Sequence, residues 1–163
     1  MTTSGDSAAN GRPARLPDAT HVGAVRLQIA SLERSLTYYR DFLGFRVISR
    51  GAGHATLGGG DERPLLELRE RAGATPVPRR GRLGLFHFAI LLPDRPSLGR
   101  FVRHLAATGA PAGSSDHLVS EAIYLQDPDG NGVELCCDRP RDQWPKEMFT
   151  APLDVRALLA EAA

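Results

Sequence analysis

Cysteine is nearly missing from this chain: its 163 residues hold two, Cys136 and Cys137, side by side. Neighbours in a strand point to opposite faces, so a bond between them is disfavoured and a reducing compartment is the default. Long apolar runs are missing too. None approaches the ~20 residues that a membrane helix needs, which excludes the membrane as a partner. The opening MTTSGDSAANGRPARLPDA has no apolar core of the secretory type, so residues 1–20 are expected to be a disordered arm and the protein to be cytoplasmic. An excess of charge is absent as well: 20 Lys and Arg oppose 19 Asp and Glu, for a net charge of +1. With no basic run interleaved with aromatics, nucleic acid is not an expected partner. The length suits one domain with a sizeable core.

Two segments carry helical periodicity. In SLERSLTYYRDFLG the apolar positions are Leu32, Leu36, Tyr39 and Leu43, with Ser31 as N-cap and Gly44 as stop. In RPSLGRFVRHLAATG they are Leu98, Phe101, Val102 and Leu105, and Gly109 ends the run. Each helix follows a strand-like run, VRLQIA (25–30) or LFHFAILL (85–92), and precedes three shorter ones. These are FRVISR, HATLGG and PLLELRE in the first half, then DHLVS, AIYLQ and VELCC in the second.

The order β-α-β-β-β is therefore written twice. The strands before the helices lie 63 residues apart, and those around Glu67 and Glu134 lie 67 apart. Two copies are too few for a solenoid, so they are expected to pack around a shared concave surface. The expected fold is α+β: two βαβββ repeats, about 21–73 and 83–138, forming a curved mixed sheet around a cup-shaped cavity. The stretch ATPVPRRGR (74–82) reads as the linker, and residues 139–163 as a tail in which PLDVRALLAEA makes a short docking helix.

One residue breaks the pattern. VELCC reads as core, yet Glu134 sits between Val133 and Leu135. Strand alternation puts Val133 and Leu135 on one face and Glu134 on the other, toward the hollow, where a carboxylate needs a cation, a metal or strong donors. Glu67 in PLLELRE is flanked by leucines in the same way. In LFHFAI, Leu85, His87 and Ala89 face one way and Phe86, Phe88 and Ile90 the other. An imidazole and carboxylates converging on one cavity suit a divalent transition metal. The run DPDGNG (127–132) nearly spells a calcium loop, with Asp138 at its twelfth position. Its neighbours read as strands, however, so it is better explained as hairpin turn chemistry.

The phrases LQIASLERSLTYYRDFLGFRV with PLLEL, and GLFHFAILLPDR with DHLVSEAIYLQDPDGNGVEL, resemble the vicinal-oxygen-chelate superfamily. That superfamily includes glyoxalase I, extradiol ring-cleaving dioxygenases and bleomycin-resistance proteins. With DRPRDQW and PLDVRALL, the resemblance is closest to the catechol-2,3-dioxygenase-like branch. It implies a metal cupped by the first and last strands of both repeats, at Ala24, Glu67, His87 and Glu134. It further implies Fe²⁺ or Mn²⁺, with Zn²⁺ or Ni²⁺ as alternatives, a small catechol-like or vicinal-oxygen substrate, and a homodimer. Alanine replaces the usual histidine at position 24, and Ser31 replaces an aspartate. His21 lies three residues upstream, roughly 10 Å away along a strand and on the other face. Tyr124 is ten residues before Glu134, as in extradiol enzymes, and His117 is near their acid–base histidine. The implied metal ligands are His87, Glu134 and Glu67, and the implied catalytic groups are His117 and Tyr124. His104 is expected at the surface, and His54 carries no signal. The competing expectation is a metal-free module of the bleomycin-resistance type that binds or sequesters a small molecule.

Overall fold

The structure, a computed structural model, describes residues 14–76 and 84–162. Most of the expected arm and most of the expected linker lie outside those residues. Strand β1 (Val25–Ile29) leads into helix α1 (Leu32–Leu36), then β2 (Arg46–Gly51), β3 (His54–Gly58) and β4 (Pro64–Glu70). The second repeat runs β5 (His87–Leu91), α2 (Arg95–Thr108), β6 (Gly113–Asp116), β7 (Ser120–Gln126) and β8 (Gly132–Asp138). A short helix α3 (Val155–Ala160) follows.

Each repeat closes its own four-stranded mixed sheet, ordered β1-β4-β3-β2 and β5-β8-β7-β6. The first strand pairs parallel with the last, and the other pairs are antiparallel. The hydrogen-bond ladders stop at the sheet edges β1 and β5, so side chains rather than a shared ladder join the repeats. One apolar cluster does so, running from Leu27, Leu36 and Leu68 through Tyr39 and Phe88 to Leu98, Leu125 and Val133. Each fully buried side chain of this size contributes roughly 1.5–3 kcal/mol.

Both helices start as their sequences dictate. Ser31 has extended backbone, and its hydroxyl accepts from the Arg34 amide at 3.4 Å. Asp94 caps α2 by accepting from the Ser97 amide at 2.7 Å, and Gly109 ends it at φ 68°, a left-handed conformation natural to glycine. The first helix departs from the expected regular α-helix. From Thr37 to Phe42 it widens into a π-helix, with the Leu43 amide donating to the Tyr38 carbonyl at 2.9 Å. Hydrophobic spacing cannot distinguish that change of winding from an α-helix. Its effect is to bring the adjacent Tyr38 and Tyr39 inward together, their rings edge to face with centroids 5.1 Å apart.

A second departure concerns DHLVS, expected to be a strand. The strand lies earlier, at Gly113–Asp116, and residues 117–119 form a tight turn in which Leu118 takes φ 66°. Asp116 shapes that turn by accepting from the Leu118 amide at 2.8 Å.

The DPDGNG turn is a strut between the repeats. Asp127 accepts from the Tyr39 hydroxyl at 2.7 Å, from the Asp129 and Asn131 amides at 2.9 and 2.8 Å, and from Asn131 Nδ2 at 2.9 Å. Asp129 takes Arg34 at 2.6 Å and the Ala30 amide at 3.3 Å. Strands flank the turn and both carboxylates are engaged, as hairpin chemistry requires.

The tail folds back on the second sheet. Asp116 and Ala151 exchange backbone hydrogen bonds of 2.9 and 2.7 Å. Arg139 grips the Asp116 carboxylate with two 2.7 Å bonds, and Leu158 of α3 is fully buried. No helix among the described residues is long and apolar enough to cross a membrane. Cys136 and Cys137 are both free and buried.

Candidate active site

Parallel pairing of β5 with β8 sets Ala89 beside Glu134 and His87 beside Gly132. Gly132 is required there: a Cβ on it would lie 2.1 Å from the Phe86 carbonyl oxygen and 2.8 Å from the His87 Cβ. The close approach lets His87 reach diagonally to Glu134, Nε2 to Oε2 at 2.8 Å. Antiparallel pairing of β7 with β8 puts Tyr124 directly across from Glu134, its hydroxyl 3.4 Å from Oε1. The same hydroxyl lies 2.7 Å from His117 Nε2, and His117 Nδ1 lies 3.1 Å from Thr150 Oγ1. The result is a continuous polar chain, Glu134 to Tyr124 to His117 to Thr150, with His87 on the other carboxylate oxygen.

The structure thus brings His87, Glu134, Tyr124 and His117 together. It does not bring Glu67 to them. Arg26 pairs in register with Glu67 and donates to it from Nε at 2.7 Å, and Arg69 lies 3.7 Å away. The hydrogen bond from Arg26 holds the Glu67 carboxyl below its ordinary range. The registers explain the difference between the repeats. Arg26 stands beside Glu67 as Ala89 stands beside Glu134, so Ala24 occupies the position of His87. The first repeat carries a methyl where the second has imidazole, and a guanidinium where the second has a methyl. Among the described residues no group of three or more His, Cys, Asp or Glu side chains is arranged to hold one metal ion.

His21 is exposed and its Nδ1 lies 3.0 Å from the Ala19 carbonyl. His104 is exposed on α2, with Nε2 2.9 Å from the Phe42 carbonyl, and His54 lies against the Ala52 carbonyl at 3.2 Å. None belongs to the chain of contacts around Glu134.

Charge balance singles out Glu134. Four carboxylates among the described residues are buried: Glu121, Asp127, Asp129 and Glu134. Arg95 and Arg139 neutralise Glu121 at 2.6 and 3.2 Å, and Arg34 neutralises Asp129. Asp127 is surrounded by four donors. Glu134, 8% exposed, has an imidazole and a phenol, with no guanidinium or ammonium in reach among the described residues. A buried carboxylate left in that state favours a cation beside it. An imidazole nitrogen at 2.8 Å offers a second donor of the type that borderline divalent metals take. These two residues fit a divalent metal as two of its ligands. Ala24 offers no donor, and Glu67 is already committed to arginine.

The Tyr124 phenol is held protonated above its ordinary range by burial first and then by the Glu134 charge. Burial, followed by the same charge, pushes the Cys136 thiol up to about 11. Beside His87 and Tyr124 a cavity of about 610 Å³ opens between the repeats. Tyr38 and Phe42 from the π-helix wall one side, and Phe86, Ala110–Gly113, Leu125 and Val133 are among the residues that line the rest. That size and that apolar, aromatic lining suit a small ring-bearing ligand.

Sequence reasoning missed Thr150, Arg26 and the π-helical wall. Arg26 carried a signal, since strand parity places it on the face of Glu67. Thr150 carried none, because only the return of the tail to Asp116 brings it near His117.

A family profile, Glyoxalase/Bleomycin resistance protein/Dioxygenase superfamily, matches residues 20–135. The chain belongs to that superfamily. It is 46% identical over 149 residues to a catechol-2,3-dioxygenase of Bacillus subtilis (strain 168), a match covering 88% of this chain and 52% of that protein. The chain therefore spans about half the length of that relative. Among solved structures, a glyoxalase/dioxygenase from Nostoc punctiforme superposes with a TM-score of 0.63 at 17% identity, covering 80% of this chain and all of that one. A lactoylglutathione lyase from Agrobacterium tumefaciens does so with a TM-score of 0.58 at 24% identity, over 74% of this chain and 96% of that one. At these identities the two structures speak for the fold alone.

Proposed function

We propose that this protein is a metal-dependent, extradiol-dioxygenase-like enzyme acting on a small catechol-like or vicinal-oxygen substrate. The observation that carries the reading is Glu134, a buried carboxylate set 2.8 Å from the His87 imidazole and, among the described residues, without a guanidinium or ammonium partner. The 46% identity to a protein named catechol-2,3-dioxygenase supports the choice of substrate class.

His87 and Glu134 would hold the metal, Fe²⁺ or Mn²⁺ in preference to Zn²⁺ or Ni²⁺. When bound, such an ion supplies Lewis-acid polarisation of the substrate's paired oxygens. The chain's own residues do the rest. Phe42, Phe86 and the rings of Tyr38 and Tyr124 line the cavity in which the aromatic ring would sit. Tyr124, protonated at neutral pH, donates to a substrate oxygen. His117, 2.7 Å from the phenol oxygen, is the acid–base group of the site.

The test is oxygen uptake with catechol by protein reconstituted with Fe²⁺ or Mn²⁺ under anaerobic conditions. Uptake abolished by His87→Ala and by Glu134→Ala is the expected outcome. No uptake with either metal, despite stoichiometric loading, would refute the dioxygenase reading.

A second reading has its own support. Ala24 and the Arg26–Glu67 pair remove two of the four expected metal positions, which favours a metal-free cup that sequesters a small aromatic compound. Thermal stabilisation by catechol that is indifferent to EDTA would select this reading over the first.

A further inference from the structure

His104, an exposed side chain of α2, reaches across to the other repeat. Its Nε2 lies 2.9 Å from the Phe42 carbonyl oxygen, 62 residues away in the chain. A carbonyl carries no proton, so Nε2 is the donor whether the imidazole is neutral or charged. The ring also packs on Phe42 and Phe101, with centroids 5.5 and 6.2 Å away.

Phe42 is the last residue of the π-helix, and the carbonyls of a helix's last turn have no partner inside the helix. The Leu43 and Phe45 amides take those of Tyr38 and Tyr39, each at 2.9 Å, and His104 takes that of Phe42. Asp127 holds the same π-helix from its buried side, through the Tyr39 hydroxyl. Tyr38 and Phe42, their rings 5.3 Å apart, form the first repeat's wall of the cavity of about 610 Å³. Ala110–Gly113, which follow α2 closely, line that cavity from the second repeat. Leu98, Val102 and Leu105 bury one face of α2 in the core, so His104 stands on a fixed support. Its bond ties one wall of the cavity to the helix that leads into another.

We propose that His104 is a positioning residue that sets the width of the cavity, and so the ring size it admits, by tethering the π-helical wall to α2. The proposal rests on the reading of this cavity as the site of a small catechol-like ring. With the tether in place the walls are spaced for a lightly substituted ring. Without it the wall that carries Tyr38 and Phe42 is free to move outward, and the balance shifts toward bulkier rings.

The test compares the full-length wild type with His104→Ala and with His104→Gln, whose side-chain N–H can stand in for Nε2–H. Amide hydrogen exchange reads the wall with no ligand present. His104→Ala speeds exchange of the Leu43 and Phe45 amides roughly three-fold or more, while the amides of β8 keep their wild-type rates. Anaerobic calorimetric titration with catechol and with 4-tert-butylcatechol, once with EDTA and once with Mn²⁺, reads the width. His104→Ala weakens catechol roughly three-fold and the bulkier ring less, so the ratio of the two Kd values shifts. A loss of stability alone would weaken both ligands alike. His104→Gln returns both readouts toward wild type. Unchanged exchange at Leu43 and Phe45, an unchanged ratio of Kd values, or a His104→Gln variant no closer to wild type than His104→Ala, overturns the proposal. If the wild type binds neither catechol under either condition, the ring-binding reading falls and exchange alone decides the tether. If both bind and the ratio shifts but no oxygen is consumed, the dioxygenase reading falls and this one stands.

Discussion

Replacing Tyr39 by phenylalanine deletes one oxygen from the middle of the molecule and nothing else. The ring is fully buried between the repeats, packing against Phe45 and Phe88 with centroids 6.1 and 6.5 Å away. Phenylalanine fills the same space, so the packing contribution stays. What goes is the 2.7 Å hydrogen bond to the buried Asp127 carboxylate. Hydrogen bonds to charged groups contribute roughly 1.5–3 kcal/mol. Asp127 keeps three other donors, which places the expected loss near the bottom of that range, at about 1.5–2 kcal/mol. For a chain of this size the loss corresponds to a fall in Tm of about 3–8 °C. Asp127→Ala removes the acceptor for all four donors and should cost about 3 kcal/mol or more. Urea unfolding of both variants and the double variant, followed by circular dichroism, closes a cycle whose coupling should be about 1–2 kcal/mol. If Tyr39→Phe lies within about 0.5 kcal/mol of wild type, or the cycle is additive, the turn is not the strut described here.

The other expectations concern the tail and the thiols. Arg139 donates two hydrogen bonds to Asp116 and so holds that carboxyl below its ordinary range. A depressed carboxylate stabilises the fold above its unfolded pKa of about 3.9 and loses that contribution as pH falls through the lower folded value. Arg139→Met should therefore cost about 2 kcal/mol at pH 7, between the values for exposed and buried pairs, with the gap to wild type closing below about pH 4. A gap that persists unchanged into acid would refute that assignment. Burial holds both thiols above their ordinary range, Cys136 at about 11, so neither should alkylate at pH 8 in the folded protein and both should in urea, as peptide mapping will show. Rapid native labelling of either would contradict their placement.

Much of the scaffold was legible because strands and helices leave different periods in a sequence. The parity of VELCC and LFHFAI placed Glu134 and His87 on one face, and the resemblance pointed to Tyr124, which the β7–β8 register sets across from Glu134. What escaped depended on partners distant in the chain or on winding that apolar spacing does not encode. Glu67 looked equivalent to Glu134 in local pattern, yet Arg26, 41 residues away, occupies it. The π-helix shares the apolar spacing of an α-helix while turning Tyr38 and Tyr39 inward together. DHLVS has the residues of a strand, but Asp116 accepts from the Leu118 amide and turns the chain there. Thr150 enters the site only because the tail bridges back to Asp116.

The proposed function requires that Glu134 and His87 together hold one metal ion. Elemental analysis after anaerobic reconstitution with Fe²⁺ or Mn²⁺ and gel filtration measures it directly, with anomalous scattering to locate the ion. The account predicts close to one metal per chain, between these two side chains, and near none in a His87→Ala/Glu134→Ala double variant. Less than roughly a tenth of an equivalent in the wild type, or equal loading in the double variant, would contradict it.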